Sequence, residues 1–168
     1  MDMNDNPIVT STDDPLFIKR ESWLKKQLQK ALEQPYVSFQ EAAANPSMGI
    51  YFIYDDLELL YIGMATRPSK NRLKEFLRGY RSHTFNRKLM AEEFRNRDYL
   101  MHTLSVKNLG RDWIDNGKIT TDEFDQVQEV VNQRIRKSMR YKYFEYSSFG
   151  IQFLEHYAIA TMQPLYND

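Results

Sequence analysis

The chain has 168 residues, contains no cysteine and carries a formal net charge of zero. This length fits one domain with its own core, and the lack of cysteine excludes disulfides, thiolate zinc sites and cysteine nucleophiles. The three histidines, His83, His102 and His156, are too scattered to suggest a metal cluster. The acidic, polar start of the chain lacks the pattern of a secretion signal, and no apolar stretch approaches bilayer length. We therefore expect a soluble cytoplasmic protein without membrane association.

Two helices are predicted before the first strand. Asp14 followed by Pro15 is a helix-start signal, and apolar residues then recur at helical spacing to about Gln34. Ser38 and Glu41 have the spacing of a capping box, which predicts a short second helix.

A β-hairpin is predicted next. Gly49 to Tyr54 and Leu59 to Met64 are runs of apolar, β-branched and aromatic residues. If Asp55-Asp56-Leu57 forms the loop, Tyr51 lies directly opposite Tyr61, because side chains that oppose each other across a hairpin share a face.

The second half of the chain alternates helical and extended patterns. Apolar positions on the stripe from Phe124 to Met139 follow a second capping box, formed by Thr120 and Glu123. The predicted elements are a basic helix from Pro68 to Gly79, a helix from Thr84 to Arg97, a strand from Tyr99 to Val106, a loop from Asn108 to Lys118, the capped helix, a strand from Arg140 to Tyr146, and a last helix from Ser148 to about Met162, ended by Pro164.

The charge distribution is uneven although the sum is zero. Between Thr66 and Leu100 there are ten Arg or Lys against four acids, and a second cluster without any acid comprises Arg134, Arg136, Lys137, Arg140 and Lys142. Such runs are either solvated helix faces or phosphate-binding surfaces. As surfaces, they nominate Lys70, Lys74, Arg78, Arg136, Lys137 and Arg140 as DNA-backbone contacts.

Two tripeptides carry the most specific signal. Gly49-Ile50-Tyr51 is followed, after nine residues, by Tyr61-Ile62-Gly63. Arg72 follows in the basic helix, and Glu155 precedes a Pro164-Leu-Tyr-Asn167 turn. This pattern resembles the signature of the GIY-YIG nuclease superfamily, over Gly49 to His83 and about Phe153 to Asn167. The last segment is similar to that of the nuclease subunit of bacterial excision repair.

The resemblance implies a separate chemical role for each of these residues. One phenol, Tyr51 or Tyr61, would be the general base, although a free tyrosine has a pKa of about 10. Arg72 would provide a forked cation for a phosphate oxygen. Glu155 would hold one Mg²⁺ or Mn²⁺, a hard cation that keeps several waters. Asn167 would donate hydrogen bonds near the site.

One family position differs in this chain. Many members have Tyr or His four residues after the arginine, where this sequence has Phe76. His83 matches a later family histidine and is the first candidate to fill the gap. Tyr80 and Lys70 are the alternatives.

The resemblance predicts one α/β domain over residues 1–168: a small mixed, mainly antiparallel sheet flanked by helices, the GIY-YIG fold. Residues 1–47 would form an N-terminal helical extension, and residues 84–148 an insertion within the catalytic core. The expected activity is metal-dependent, restriction-like cleavage of double-stranded DNA. A repair or recombination nuclease, a phage or mobile-element nuclease, a catalytically silent DNA-binding module and an RNA-cleaving toxin are the alternatives.

A single site cuts one strand per engagement, so a double-strand break needs two protomers or two visits. A twofold homodimer would match a palindromic target. The stripe of Trp23, Leu24 and Leu28, or the helix carrying Val127 and Val131, would supply its interface unless each packs on its own core.

Overall fold

The computed structural model describes residues 11–67, 73–77, 84–97, 111–147 and 150–167. Across these residues the chain forms six α-helices and three strands, together with a 3₁₀ turn at Glu75–Leu77 and a π-helical turn at Arg134–Ser138. In chain order the elements are α1 Pro15–Leu32, α2 Phe39–Ala44, β1 Gly49–Asp55, β2 Glu58–Ala65, α3 Thr84–Arg97, α4 Arg111–Asp115, α5 Thr121–Gln133, β3 Met139–Glu145 and α6 Ile151–Met162. None of the described helices combines the length and apolar character required to span a bilayer.

Three predicted helix starts are confirmed by their caps. The Asp14 carboxylate accepts a hydrogen bond from the first turn of α1. Reciprocal capping boxes join Ser38 to Glu41 at α2 and Thr120 to Glu123 at α5. Each cap satisfies backbone N–H groups that have no partner inside the helix, which explains why these sequence signals mark the boundaries well.

The sheet has the order β2-β1-β3, and both pairings are antiparallel. The α/β class and the mainly antiparallel character of the sheet are therefore confirmed, and the parallel component of the predicted mixed sheet stays a prediction. The central position of β1 explains its almost continuous apolar sequence, since residues 50–53 are completely buried. β3 lies within the segment 84–148, so that segment supplies part of the central sheet as well as helices.

The hairpin turn is tighter than predicted. Asp55 pairs with Glu58, which leaves Asp56 and Leu57 as the two turn residues. Asp56 adopts a positive φ of 52°, a conformation that Asp tolerates better than most residues.

The predicted register was also wrong. Tyr51 lies opposite Gly63, and Tyr61 lies opposite Ile53. The register shifts between Ile53 and Tyr54, and this irregularity leaves Leu60 as an extra residue on β2. Because Tyr51 and Ile53 are two residues apart on one strand, both tyrosines still point to the same face of the sheet.

The two faces of the sheet carry separate apolar clusters. Tyr51, Tyr61 and Tyr141 point to the face covered by α2, α3 and α5. Ile50 and Phe52 point to the opposite face, which is covered by α1 and α6. Because β2 lies at the edge of this sheet, elements from both faces lie next to it.

Some predicted elements differ in detail. The loop from Asn108 to Lys118 includes the short helix α4, and Gly117 follows it with a φ of 64°. The helical stripe was predicted to reach Met139, but Met139 is the first residue of β3. The helical segment ends with the π-helical turn, and Met139 then pairs with Asp55 of β1.

Other predictions fall partly or wholly outside the described residues. The strand from Tyr99 to Val106 and the cap Ser148 lie outside them, and α6 begins after Gly150 without a side-chain cap. Of the basic helix from Pro68 to Gly79, the described part is Leu73–Leu77, where a helical segment tightens into the 3₁₀ turn.

Candidate active site at the edge of β2

A cleft of about 190 Å³ lies beside the β2 edge strand. It brings together residues from β2, the segment that follows it, the 3₁₀ turn and α6. The lining residues are Tyr61, Gly63, Met64, Thr66, Arg67, Glu75 and Glu155. Two predicted site residues, Tyr61 and Glu155, therefore share one cavity although 94 positions separate them in the chain.

Glu155 reaches this cleft because of the way α6 packs. Ile151, Leu154 and Ala158 are buried against the sheet, and they anchor α6 next to β2. At about 100° per residue, Glu155 lies about 40° around the helix from Ile151 and about 60° from Ala158, at the border of the buried stripe. It is half-buried, and it lies beside β2, an edge strand of the sheet that the described residues form.

The two tyrosines are adjacent but differ in access. Their rings stack with centroids 6.4 Å apart and an interplanar angle of 25°. Tyr51 is completely buried, with 0% of its surface exposed, whereas Tyr61 is half-buried and lines the cleft. A solvent-derived nucleophile in the cleft would therefore meet Tyr61 before Tyr51.

Gly63 has a steric reason to be glycine. The Tyr51 phenol lies against its backbone, and a Cβ atom at position 63 would lie 2.3 Å from the Tyr51 hydroxyl oxygen. Because real Cβ contacts are not this short, any side chain here would displace Tyr51. The glycine of Tyr61-Ile62-Gly63 thus makes room for the tyrosine of Gly49-Ile50-Tyr51.

Phe76 lies in the core and not in the cleft. It is completely buried, with its ring 5.8 Å from that of Tyr51 and 5.6 Å from that of Phe85. The side-chain amide of Asn86 donates a hydrogen bond to the Phe76 carbonyl, which ties the 3₁₀ turn to α3. This arrangement turns the preceding residue, Glu75, toward the cleft.

Glu75 and Arg67 are cleft residues that sequence reasoning missed. A signal for Glu75 existed, because it is one of only four acids among the ten cations between Thr66 and Leu100. Arg67 lies two residues after the end of β2 and is exposed. Its position could have been inferred from the strand end, but nothing distinguished it from the other cations nearby.

Asn167 contacts the strand backbone. Its side-chain oxygen accepts a hydrogen bond from the Ile62 N–H, and its side-chain nitrogen donates to the Ile62 carbonyl, both at 2.7 Å. Ile62 lies between Tyr61 and Gly63. Asn167 therefore occupies the place of a neighbouring strand and fixes β2 where the cleft residues are attached.

Most of the remaining predicted site residues lie outside the described part of the chain. Arg72, His83 and the proposed DNA contacts Lys70 and Arg78 lie there, as does the alternative Tyr80. Lys74 is described and is exposed at the start of the 3₁₀ turn. Their roles stay predictions.

Part of the basic cluster in residues 134–142 is engaged within the protein. Arg134 donates two hydrogen bonds to the Asp55 carboxylate, at 2.8 and 3.1 Å, and lies 3.8 Å from Glu92. Arg140 donates to the Asp56 carbonyl at 2.8 Å. These two arginines hold the hairpin turn.

Lys142 and Arg140 also share one aromatic partner. Lys142 lies 4.6 Å and Arg140 4.8 Å from the ring centroid of Tyr36, and Lys142 donates to the Leu32 carbonyl at the end of α1. Arg136 and Lys137 are both exposed in the π-helical turn. They are the members of the cluster most available to an external phosphate.

Most residues of the stripes considered for a dimer interface pack inside the protomer, whereas Trp23 is 41% exposed. Leu28 and Leu24 belong to the apolar cluster under α1, and the Trp23 ring lies 6.2 Å from that of Tyr146. Val127 and Val131 are buried in the core on the tyrosine face. The homodimer and its interface stay predictions.

A wider depression of about 370 Å³ next to α2 does not have the same character. Its described lining includes none of the predicted catalytic residues, and its two carboxylates belong to local structure: Glu41 caps α2 through Ser38, and Glu145 accepts from Asn45 at 3.1 Å. The cleft at β2 is the better candidate because Tyr61, Glu75 and Glu155 converge there.

No family model, curated protein or solved structure matches this chain.

The cleft contains donors that suit a hard cation. Glu75 and Glu155 offer carboxylate oxygens, the ligands that Mg²⁺ and Mn²⁺ prefer. No three His, Asp or Glu side chains gather anywhere in the described ranges. Two carboxylates with waters are nevertheless a sufficient donor set for Mg²⁺, which usually keeps several of its waters.

Proposed function

We propose that this chain is a metal-dependent nuclease of the GIY-YIG type that hydrolyses DNA phosphodiester bonds. The observation that carries the proposal is the shared cleft of Tyr61 and Glu155, on a strand and a helix distant in sequence. The Tyr51 phenol against Gly63 adds a physical reason for the two tripeptides to occur together. The α/β class with an antiparallel sheet is consistent with that fold.

Glu155 is the primary cation ligand in this proposal, and Glu75 is its neighbour in the cleft. Mg²⁺ or Mn²⁺, when bound, would stabilise charge on the phosphate and supply an acidic water for the leaving oxygen. The cleft of about 190 Å³ has room for a cation with several waters, because one water needs roughly 10–15 Å³ of such volume.

Tyr61 is the general base in this proposal, and the buried Tyr51 ring stacks against the Tyr61 ring. Access favours Tyr61, since Tyr51 is completely buried and Tyr61 lines the cleft. Tyr166, a third phenol nearby, is unsuitable as a base. Burial, and then its hydrogen bond to Glu92, raise the pKa of Tyr166, so that its hydroxyl keeps its proton.

Phosphate binding would come from cations around the cleft. Arg67 lines it directly, and the sequence pattern assigns a forked contact to Arg72. Outside the cleft, Arg136 and Lys137 would contact the DNA backbone, because both side chains are exposed.

The leading subclass is restriction-like cleavage of double-stranded DNA. The alternatives are structure-specific repair or recombination, a phage or mobile-element nuclease, a silent DNA-binding module and an RNA-cleaving toxin. A substrate panel separates them: plasmid, short duplexes, branched DNA and RNA, each incubated with Mg²⁺, Mn²⁺ or chelator.

Discrete plasmid fragments would support restriction, and preference for branched DNA would support repair or recombination. Cleavage confined to RNA would support the toxin. DNA binding without cleavage under any metal would leave the silent module and reject the nuclease. Nicked circles that precede linear plasmid would show that one strand is cut per engagement.

A further inference from the structure

The C-terminal segment runs along the outer edge of β2. α6 ends at Met162, its C-cap Gln163 adopts a left-handed conformation, and the chain then turns at Pro164. Backbone N–H groups of Leu165 and Tyr166 donate to the carbonyls of Leu59 and Leu60, at 3.2 and 2.9 Å. Together with the amide of Asn167, these bonds give the edge strand a neighbour along the stretch that carries Tyr61.

Tyr166 also joins this segment to α3. The Tyr166 carbonyl accepts a hydrogen bond from the Lys88 ammonium group at 3.0 Å, and its hydroxyl donates to the Glu92 carboxylate. Lys88 and Glu92 are four residues apart, so they lie on the same side of the helix. Arg134, which is bonded to Asp55 in the hairpin, lies 3.8 Å from Glu92. Tyr166 is thus held from β2 and from α3.

The ring of Tyr166 is connected to that of Tyr61 by one intermediate side chain, Phe85. It packs edge-on against Phe85 with centroids 6.0 Å apart, and Phe85 lies 5.2 Å from the Tyr61 ring. Phe85 is completely buried and closely packed, so removing the Tyr166 ring removes one of the contacts that hold the Phe85 ring in place. Aromatic pairs at these separations have preferred mutual orientations, which allows one ring to limit the rotation of the next.

We propose that Tyr166 is a positioning residue for Tyr61: fixed by Leu60, Lys88 and Glu92, its ring holds Phe85, and Phe85 sets the orientation of the Tyr61 phenol in the cleft. This inference rests on the proposed nuclease function. A displacement of about 1 Å in a reacting group can cost about a hundredfold in rate, so the effect belongs in kcat more than in substrate binding.

The test compares the single variants Tyr166→Leu and Tyr166→Phe with the wild type. Leu165→Ala is the matched control, because the neighbouring Leu165 side chain is 51% exposed and the substitution keeps its backbone bond. For each protein, kcat and KM are measured on the best substrate of the panel, and the urea midpoint is measured by circular dichroism.

Tyr166→Leu should lower kcat by about tenfold or more while KM stays within about twofold. Tyr166→Phe should recover most of kcat, because the ring remains, although its urea midpoint falls with the loss of the Glu92 bond. Leu165→Ala should match the wild type. Phe85→Leu tests the same path independently and should also lower kcat.

Equal kcat for the wild type and Tyr166→Leu would overturn the positioning role and leave the nuclease assignment intact. A fall in kcat that Tyr166→Phe shares in full would also overturn it, since the ring would then not be the group that matters. If the wild type cleaves no substrate of the panel, the proposed function itself fails.

Discussion

The pair Tyr61 and Glu155 and the basic cluster in residues 134–142 were both singled out from the sequence, and the fold treats them differently. In the cleft, Tyr61 and Glu155 come from distant segments and meet in one cavity. In the basic cluster, neighbours in sequence separate: Arg134 and Arg140 bind the hairpin turn, and Lys142 binds the end of α1.

The difference follows from what each pattern specifies. A charge run records composition along the chain, and a cation can be satisfied by any nearby carboxylate or carbonyl. The two tripeptides specify strand pairing, a glycine that a phenol requires, and a common face of the sheet. Patterns of the second kind constrain three-dimensional position much more closely.

The strongest test of the cleft compares its two tyrosines. We expect Tyr61→Phe to lower the cleavage rate by about 10²–10⁴-fold, because it removes the proposed base without removing the ring. Tyr51→Phe should chiefly lower the urea midpoint, since that hydroxyl is buried. Single-turnover cleavage and urea denaturation on both variants distinguish them. The reverse pattern would assign the base to Tyr51.

Gly63→Ala tests the steric relation between the two tripeptides. The new methyl group would meet the Tyr51 phenol, and overpacking of this kind typically costs about 1–3 kcal/mol of unfolding free energy. The control is a double-mutant cycle with Tyr51→Ala, which makes room for the methyl group. Strictly additive losses in urea denaturation would show that the two residues do not compete for space.

Asn167→Ala tests the attachment of the C-terminal segment. It removes both side-chain bonds to Ile62, so we expect a loss of about 1 kcal/mol and faster hydrogen exchange at the Ile62 amide. Gln152→Ala, at an exposed position of α6, should change neither quantity. Unchanged exchange at Ile62 would mean that the amide bonds are not made in solution.

The smallest expected effect concerns the basic cluster. Replacing Arg136 and Lys137 with Ala should weaken binding to all DNA sequences alike and lower the salt slope by up to about 0.9 per lost phosphate contact. Stability should stay within about 0.5 kcal/mol because both side chains are exposed. The pair Arg140→Ala and Lys142→Ala should instead lower stability. An unchanged salt slope in the first variant would mean that Arg136 and Lys137 are solvated and do not contact DNA.

Local signals predicted the helices well. The caps at Asp14, Ser38 and Thr120 act within one turn of helix, so sequence alone contains them. The hairpin was predicted in its strands but not in its register, because the two-residue turn and the irregularity near Leu60 depend on how β2 packs.

The candidate site was predicted unevenly for the same reason. Tyr61 and Glu155 belong to a recognisable pattern. Glu75 enters the cleft because Phe76 is drawn into the core and Asn86 holds the turn, and both contacts are tertiary. Asn167 was predicted near the site, but its bonds to the strand backbone required knowledge of where the C-terminal segment runs.

The most direct test of the nuclease assignment is plasmid cleavage by the wild type, Glu155→Gln and Glu21→Gln in the presence of Mg²⁺ or Mn²⁺. Glu21 is exposed on α1 and serves as the matched control for loss of one carboxylate. We expect the wild type and Glu21→Gln to cut, and Glu155→Gln to lose at least about a hundredfold in rate while keeping its fold and DNA affinity. Metal-dependent cutting by Glu155→Gln at the wild-type rate would contradict the assignment of the β2 cleft as the active site.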